Sequence, residues 1–550
     1  MTQTPATALH AFRRGKAARA WPALLVAALL VPVWISPFFP SQDGPSHVAN
    51  AWILGQLLRG DGGPYAAVYQ VNPRPVPNWF SHAALAALMT LARPEVAERL
   101  LLTGYVLLLV WGFRRALVAL RPGAAPLFAV VTPFVQGSWL YLGYYNRLLG
   151  AVAFLLALGF GLRHGRRPGA LATLGLGLLL LWTYSCSAMS AVLAVVALSL
   201  LLLGATLQDT IEARSDRWRA LARRAGALAL AAAPALALVL HFQARQWPGA
   251  VPTRPGPSLA VRLWEVLTLQ QLVALHPWEP ALAAGLAAVL AVAALIALWA
   301  RLQRRGFETA DALLAFTLAA AAIGLVAPVV PIEGQGWYGA PIDDKIAPHL
   351  PLTFLLWLAA APWGRRARSL LLVSTVAVGL ALLAVRLPCQ LRIEQQLREY
   401  VSVAPFLPPG SALLPVGYAH EGRSEDGRAL SVGSWPFRHA ASRLVPWRGV
   451  LDLDNYAAQT NFFPVIDREG YDPFDLLGTS FDHTPACVRL GRFNRLSPRP
   501  ADFVLTWALS ETDLGDACTR DLLRQLETRY RRVHVSQPRG LAALYQRLPP

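Results

Sequence analysis

The feature that most constrains this chain is a succession of long apolar runs that carry no charge. From Ala20 to Gln42 no residue is charged, and a helix of this length crosses about 30 Å of hydrocarbon at a rise of 1.5 Å per residue. Ten similar runs follow, centred near residues 108, 134, 155, 177, 197, 234, 290, 322, 354 and 377. We therefore predict a multi-pass membrane protein of about eleven transmembrane helices. The first run is read as a retained anchor rather than a signal peptide, since no small-x-small cleavage site follows it before Asp43.

The net charge of +18 comes mainly from arginines that flank the apolar runs. This placement follows the positive-inside rule, so we expect the N-terminus and the basic clusters in the cytoplasm and no nucleic-acid partner. Only Lys16 and Lys345 are lysines, which indicates genomic composition rather than recognition. The six clusters are Arg13 to Arg19, Arg114 to Arg121, Arg163 to Arg167, Arg214 to Arg224, Arg301 to Arg305 and Arg365 to Arg368.

The remaining connections then lie on the outer side of the membrane. Two of them, 40–78 and 242–279, are longer than a simple connection requires. The apolar segment from Trp79 to Ala92 is too short for a span, and counting it as one would reverse every later loop. We predict a short helix at, or dipping into, the outer face; a twelfth span is the alternative.

After Val385 charges and turn residues appear and the uncharged runs become short. We predict a transmembrane domain at 1–387 and a soluble, periplasmic α/β domain at 388–550, with strands at 411–416, 503–507, 532–535 and 541–545 and a helix at 521–530. Four cysteines are too few for a disulfide framework or a zinc site. Cys487 and Cys518 would pair if their domain lies in an oxidising compartment.

Asp43 is the acidic residue closest to the end of the first apolar run. A carboxylate held at the membrane surface can take a proton from a hydroxyl brought from the outer side, while a lipid-linked partner stays in the bilayer. The competing interpretation is structural: Asp43 would cap a helix that begins near Pro45, because Asp followed by Pro is an ordinary start signal.

Several features together resemble the C-class glycosyltransferase fold (GT-C). These are an acidic residue that opens the first outer loop, an amphipathic stretch, a short apolar helix, a glycine-asparagine turn and a soluble outer domain. The segments that carry the resemblance are Asp43 to His47, Val48 to Leu58, Pro75 to Phe80 and Tyr141 to Gly150. The resemblance implies a bacterial inner-membrane enzyme that moves a sugar from a polyprenyl-phosphate donor to a periplasmic glycan, lipid or protein. It also implies inversion at the anomeric carbon, with Asp43 as general base.

The chain departs from this family pattern at three places. Gly44 follows Asp43 where many members have a second acidic residue, Thr183 to Ser187 lacks a histidine, and Asp343-Asp344-Lys345 followed by His349 replaces an arginine. These departures concern metal use, the subfamily and the contacts to the donor phosphate.

Further candidate residues would bind the substrate. Lys345 and His349, one helical turn apart, would face the donor phosphate together, with Arg147 or Arg74 as further cations. Their structural alternatives are a membrane-end lysine, a buried histidine and an interfacial arginine.

Two more residues are interpreted as candidates for ligand binding. His47 lies four residues after Asp43, a metal-binding spacing, but no third ligand is evident and a divalent metal is not indicated. Glu333 stands in a glycine-rich loop with aromatic neighbours that would stack on a sugar; an interfacial aromatic belt explains the same residues.

Two other functions fit the same class of protein. A transporter or flippase of a lipid-linked substrate predicts charges within the spans, and 148–244 and 280–332 carry charges only in their connections. A non-catalytic membrane scaffold predicts that Asp43 is replaceable.

Overall fold

Helices make up most of the chain as far as Val401. The structure is a computed structural model, and it describes residues 5–60, 62–211, 217–246, 257–304, 307–326, 345–460, 462–478 and 487–549. The helices up to Val401 are α1 Pro5–Trp34, α2 Gly44–Leu58, α3 Phe80–Leu88, α4 Pro94–Leu120, α5 Thr132–Val135, α6 Ser138–Tyr141, α7 Tyr145–His164, α8 Ala170–Cys186, α9 Ala188–Ile211, α10 Arg217–Gln246, α11 Leu259–Leu267, α12 Glu279–Arg304, α13 Asp311–Val326, α14 His349–Ala360 and α15 Arg365–Val401.

Six of these helices are long and apolar enough to cross a membrane: α4, α7, α9, α10, α12 and α15. The other five predicted runs form apolar helical stretches of 10–17 residues, one of which is Ala20–Trp34 within α1, and this length is short for about 30 Å of hydrocarbon. Backbone breaks account for two of these short lengths. The 3₁₀ segment Pro122–Val131 interrupts one run, and α1 ends at Trp34 although the uncharged run continues. The chain thus has the helices of a multi-pass membrane protein, with fewer long spans among its described residues than the eleven predicted.

Helix α7 occupies the centre of the helical part. It packs against α4, α8 and α9, and most of its apolar length is buried. Gly159 lets the backbones approach, since a Cβ there would lie 3.1 Å from the backbone nitrogen of Ala116 on α4. With 20 residues, α7 extends about 30 Å, so its two ends are about one hydrocarbon thickness apart.

The apolar segment at 79–92 forms α3, a helix of nine residues that packs against α2, α4, α7 and α8. Nine residues extend only about 14 Å as a helix, far less than a span. The segment is therefore a short helix held by its neighbours.

The strands are β1 Tyr69–Val71, β2 Ala412–Gly417, β3 Leu451–Asp452, β4 Val465–Asp467, β5 Phe503–Trp507, β6 Tyr530–Val535 and β7 Ala542–Arg547. The C-terminal region contains a five-stranded mixed sheet of order β3-β2-β5-β7-β6. Strand β2 runs parallel to β3 and β5, and β5, β7 and β6 are antiparallel neighbours. The helices of this region are α16 Leu444–Arg448, α17 Tyr456–Gln459, α18 Pro473–Leu477, α19 Leu490–Leu496 and α20 Ala517–Arg529. The predicted strands and helix are all present, with ends displaced by up to four residues.

The C-terminal region is joined to the helical part at several points. Helix α15 continues without a break through Pro388, so the predicted boundary at 387/388 falls inside one helix. Strand β1, in the first long loop, pairs antiparallel with β4 of the C-terminal region. Within that region Cys487 and Cys518 form a disulfide, with 5.0 Å between their Cα atoms.

Candidate functional site

The backbone of Asp43 is held by the glycine-asparagine turn that the sequence singled out. The amide nitrogen of Gln42 donates to the carbonyl oxygen of Tyr141 at 2.9 Å, and that of Asp43 donates to Leu142 at 3.1 Å. Gly143 has a φ of +78°, and a Cβ atom there would overlap the backbone of Asp43 and its successor. The turn therefore needs glycine at this position to fix where Asp43 lies.

The side chain of Asp43 does not cap helix α2, although the residue occupies the N-cap position. Its Oδ2 atom accepts a hydrogen bond from the Tyr456 hydroxyl at 2.9 Å, and Oδ1 accepts one from Nε2 of Gln42 at 3.1 Å. Burial raises the pKa of Asp43 above its ordinary value, and His439 and the bond from Tyr456 oppose that rise. Since capping uses none of its oxygens, the helix-cap interpretation does not explain this carboxylate.

An imidazole connects Asp43 to a second carboxylate. Nε2 of His439 lies 3.8 Å from Oδ1 of Asp43, and its Nδ1 lies 3.6 Å from Oδ2 of Asp454. Arg438 donates to the same Oδ2 atom at 2.7 Å. The ring of His439 stacks on that of Tyr456, with centroids 4.6 Å apart. Two buried acids therefore face the two nitrogens of one histidine.

The second carboxylate belongs to a pair that ends the sheet strand β3. Asp452 accepts hydrogen bonds from the Ser442 hydroxyl at 2.6 Å and from the amide nitrogen of Asp454 at 3.0 Å. Burial, and then the charge of Asp454, raises the pKa of Asp452 to about 7. Burial also raises the pKa of Asp454, an effect that the guanidinium of Arg438 opposes. Carboxyl groups shifted in this way are typical of sites that handle protons.

A reciprocal pair of side-chain amides joins α2, next to Asp43, to the segment of the C-terminal region that carries Asp454. Nδ2 of Asn50 donates to Oδ1 of Asn455 at 2.8 Å, and Nδ2 of Asn455 donates to Oδ1 of Asn50 at 3.1 Å. Both side chains are buried. The segment that carries Asp454 and Tyr456 is thereby held against α2, next to Asp43.

The missing second acidic residue at Gly44 has a steric explanation. A Cβ atom at this position would overlap Oγ of Ser41 and the hydroxyl of Tyr145. That hydroxyl donates to Oε1 of Glu98 at 2.6 Å, and the guanidinium of Arg443 lies 3.5 Å from the other oxygen of Glu98. The space beside Asp43 is thus filled by a buried network in which Glu98 is the acid.

His47 lies one turn beyond Asp43, but its ring turns toward His82. Nδ1 of His47 is 3.3 Å from Nε2 of His82, whose Nδ1 is 3.1 Å from the carbonyl oxygen of Asn78. Because a carbonyl only accepts, His82 donates through Nδ1 and accepts from His47 through Nε2. Burial lowers the pKa of His82 to about 4. Burial also lowers the pKa of His47 well below its ordinary value, and repulsion between the two rings when protonated adds to this effect. The two rings therefore form a neutral pair next to Asp43.

Arg147 lies against two aromatic side chains at the start of α7. Its guanidinium lies 4.3 Å from the ring centroid of Tyr144 and 5.0 Å from that of Trp139. Tyr144 interacts electrostatically with Tyr456, the hydrogen-bond partner of Asp43. Arg147 is therefore separated from the carboxylate by two aromatic side chains.

For the other predicted residues the structure shows neighbours other than Asp43, or the residues lie outside the ranges that it describes. His349 is buried against the ring of Phe154 at 4.9 Å and within electrostatic range of Arg147, and Lys345 lies half-buried one turn before it. Arg74 is exposed in the loop after β1. Glu333, like Asp343 and Asp344, lies outside the residues that the structure describes.

No group of three histidine, cysteine, aspartate or glutamate side chains in the described ranges has an arrangement that suits a metal ion.

The residues that face Asp43 and that sequence reasoning missed come from 438–456; they are His439, Asp454 and Tyr456. The string Leu451-Asp452-Leu453-Asp454-Asn455 concentrates acids between apolar residues, which is a weak signal of a buried polar site. Its proximity to Asp43 depends on a contact between the first loop and the far end of the chain. Neither spacing nor periodicity reports such a contact.

No family model matches this chain, and no curated protein is significantly similar to it. Function is therefore inferred from the site.

Proposed function

We propose that this protein is a GT-C-like glycosyltransferase of the bacterial inner membrane. It would move a sugar from a polyprenyl-phosphate donor to a periplasmic glycan, lipid or protein. The single observation that carries the proposal is the buried carboxylate of Asp43, which takes no part in helix capping and faces Tyr456 and His439 instead.

The reaction is a single displacement with Asp43 as general base. The acceptor hydroxyl gives its proton to a carboxylate oxygen of Asp43 while its oxygen forms a bond to the anomeric carbon. The bond from that carbon to the phosphate oxygen breaks, and polyprenyl phosphate leaves with the electron pair. The anomeric configuration is inverted, and Asp43 later returns the proton to water.

Tyr456, Gln42 and His439 act as positioning residues. Tyr456 and Gln42 each occupy one lone pair of the Asp43 carboxylate, which leaves acceptor sites on both oxygens. His439 contributes positive charge when protonated, so it keeps Asp43 ionised at a pH where burial alone would favour the acid.

The leaving phosphate needs cations on the donor side of Asp43. Arg147 is favoured, because its guanidinium stacks on Tyr144 and a planar fork binds phosphate oxygens in pairs. Lys345 and His349 would extend this basic side, since His349 lies within electrostatic range of Arg147.

The membrane arrangement completes the proposal. The five shorter apolar helices would cross together with the six long ones, because local thinning of the bilayer accommodates a short hydrophobic length. The start of α7 lies beside Asp43, and its end carries the cluster around Arg163. With that cluster in the cytoplasm, Asp43 and the C-terminal region lie in the periplasm.

The experiment is a transfer assay with the purified full-length chain in liposomes. Polyprenyl phosphates that carry different labelled sugars are added singly, and release of polyprenyl phosphate is followed with periplasmic extracts as acceptor. Release with one donor that depends on acceptor supports the proposal. If no donor releases polyprenyl phosphate but the labelled lipid moves across the bilayer, the result would favour a flippase.

A further inference from the structure

A second site lies at the opposite end of the helical part from Asp43. A cavity of about 690 Å³ opens between the ends of α4, α7 and α9 and the beginnings of α8 and α10. His164, the last residue of α7, lines it, whereas Tyr145, the first, lies beside Asp43. The cavity is therefore about 30 Å from the candidate active site along α7.

The lining of this cavity is basic. Four arginines and one glutamate contribute to it, namely Arg121, Arg163, Arg166, Arg224 and Glu308. Part of this charge is already satisfied, since Arg224 pairs with Asp209 at 3.0 Å and Glu308 pairs with Arg301 at 2.7 Å. Within the described ranges Arg163 and Arg166 form no ion pair, and both are exposed. The cavity therefore retains an excess of positive charge at its rim.

The inner wall of the cavity is apolar. It consists mainly of side chains from α7, α8 and α9, among them Phe160, Leu176, Leu198 and Leu202. A ligand that fits this lining needs an anionic head beside the arginines and a hydrocarbon part between the helices. A free phosphate or a nucleotide would leave the apolar wall without a partner.

We propose that this cavity binds an anionic membrane lipid through its phosphate headgroup, with one hydrocarbon chain against the apolar wall. Basic pockets between transmembrane helices on the cytoplasmic side bind such headgroups, and guanidinium groups bind phosphate oxygens in pairs. The site is independent of the transfer reaction, because it uses none of the residues around Asp43.

The test is binding of phosphatidylglycerol to the full-length chain in nanodiscs of phosphatidylcholine, measured by thermal shift and native mass spectrometry. Each arginine that lines the cavity and contacts the headgroup phosphate contributes roughly fivefold, so Arg163→Gln with Arg166→Gln should weaken binding about 30-fold. Arg167→Gln is the matched control: it is exposed on the same turn but does not line the cavity, so binding should stay at the wild-type level.

Glycerol 3-phosphate distinguishes a lipid from a free phosphate, and equal binding of the two would overturn the proposal. Wild-type affinity in the double variant would also overturn it. Ala172→Trp fills the cavity without a change of charge and should abolish retention of phosphatidylglycerol. If the double variant does not accumulate, unchanged retention in Ala172→Trp is the result that rejects the site.

Discussion

Nε2 of His439 lies 3.8 Å from Oδ1 of Asp43, although one residue belongs to the C-terminal region and the other begins the first long loop. The environment of the proposed base is therefore set by a segment at the far end of the chain. Removal of the C-terminal region would therefore change the ionisation of Asp43.

The pH dependence of transfer should report this contact. Asp43 must be ionised to act as base, so activity should rise with pH as Asp43 loses its proton, with an acid limb in kcat/KM above pH 3.8 because burial raises its pKa. A protonated His439 lowers that pKa, so His439→Gln should move the acid limb to higher pH.

The control for this prediction is His534→Gln, a histidine on β6 that bonds to Ser402 and lies in another part of the C-terminal region. Its pH profile should match wild type. Coincident acid limbs in wild type and His439→Gln would show that the imidazole does not influence the base.

The fold was predictable where one local property decides it. Each apolar run became an apolar helix, and β5 follows its prediction residue for residue because a short uncharged run between polar residues indicates a buried strand. Helix lengths were less predictable, since hydropathy does not record where the backbone breaks. The run that continued beyond Trp34 is an example, because α1 ends there.

Half of the candidate site was predictable for a similar reason. Asp43 was predicted from its position after the first apolar run, and the turn at Gly143 was predicted from its glycine-asparagine sequence. His439, Asp454 and Tyr456 were not predicted, because they reach Asp43 through tertiary contacts such as the Asn455 pair. Sequence periodicity reports local faces and carries no information on contacts of this range.

Lys345 provides a test of the donor side. If its ammonium binds the leaving phosphate, Lys345→Gln should raise the donor KM or lower turnover about tenfold or more, and Lys345→Arg should retain part of the activity. The measurement is the transfer rate as a function of donor concentration. Arg531→Gln, at an exposed position of β6, is the comparison for general loss of charge. Wild-type kinetics in Lys345→Gln would leave Lys345 as a membrane-end residue.

The disulfide between Cys487 and Cys518 tests the compartment of the C-terminal region. In membranes prepared without reductant the full-length chain should change mobility on reduction, and Cys487→Ser should abolish the change. Cys389→Ser, at a buried free cysteine, should leave the mobility change on reduction intact. Alkylation of both Cys487 and Cys518 without prior reduction would contradict a periplasmic location.

Helix α15 contains a matched pair of arginines for a test of stability. Arg386 is 1% exposed and bonds to Glu279 at 2.9 Å, whereas Arg398 is 64% exposed and pairs with Glu394 at 2.8 Å. Arg386→Gln leaves a buried carboxylate without its cation and should cost about 3 kcal/mol or more. Arg398→Gln should cost less than about 1 kcal/mol. Melting temperatures in detergent measure the loss of stability in both variants. Equal decreases in melting temperature would contradict a larger contribution of the buried Arg386–Glu279 pair.

The two interpretations of Asp43 differ most clearly in an asparagine variant. Asparagine keeps the size of the side chain and an oxygen that accepts hydrogen bonds, so it caps a helix about as well as aspartate does. The carboxylate in this protein makes no capping bond at all, and Asn still accepts the bond from the Tyr456 hydroxyl. Asp43→Asn therefore preserves the size of the side chain and the bond from Tyr456, and it removes the negative charge and the capacity to take a proton.

Asp43→Asn should lower turnover by about 100-fold or more, because a neutral amide does not accept the proton of the acceptor hydroxyl. Expression, melting temperature in detergent and donor binding should stay near wild type, since the packing around α2 is unchanged. The assay follows labelled sugar from polyprenyl phosphate to acceptor with purified wild type, Asp43→Asn and Asp43→Glu, the last of which keeps the carboxylate and should retain part of the rate. Normal turnover in Asp43→Asn would refute the mechanism. If Asp43→Asn loses activity together with donor binding and melting temperature, Asp43 has a structural role instead.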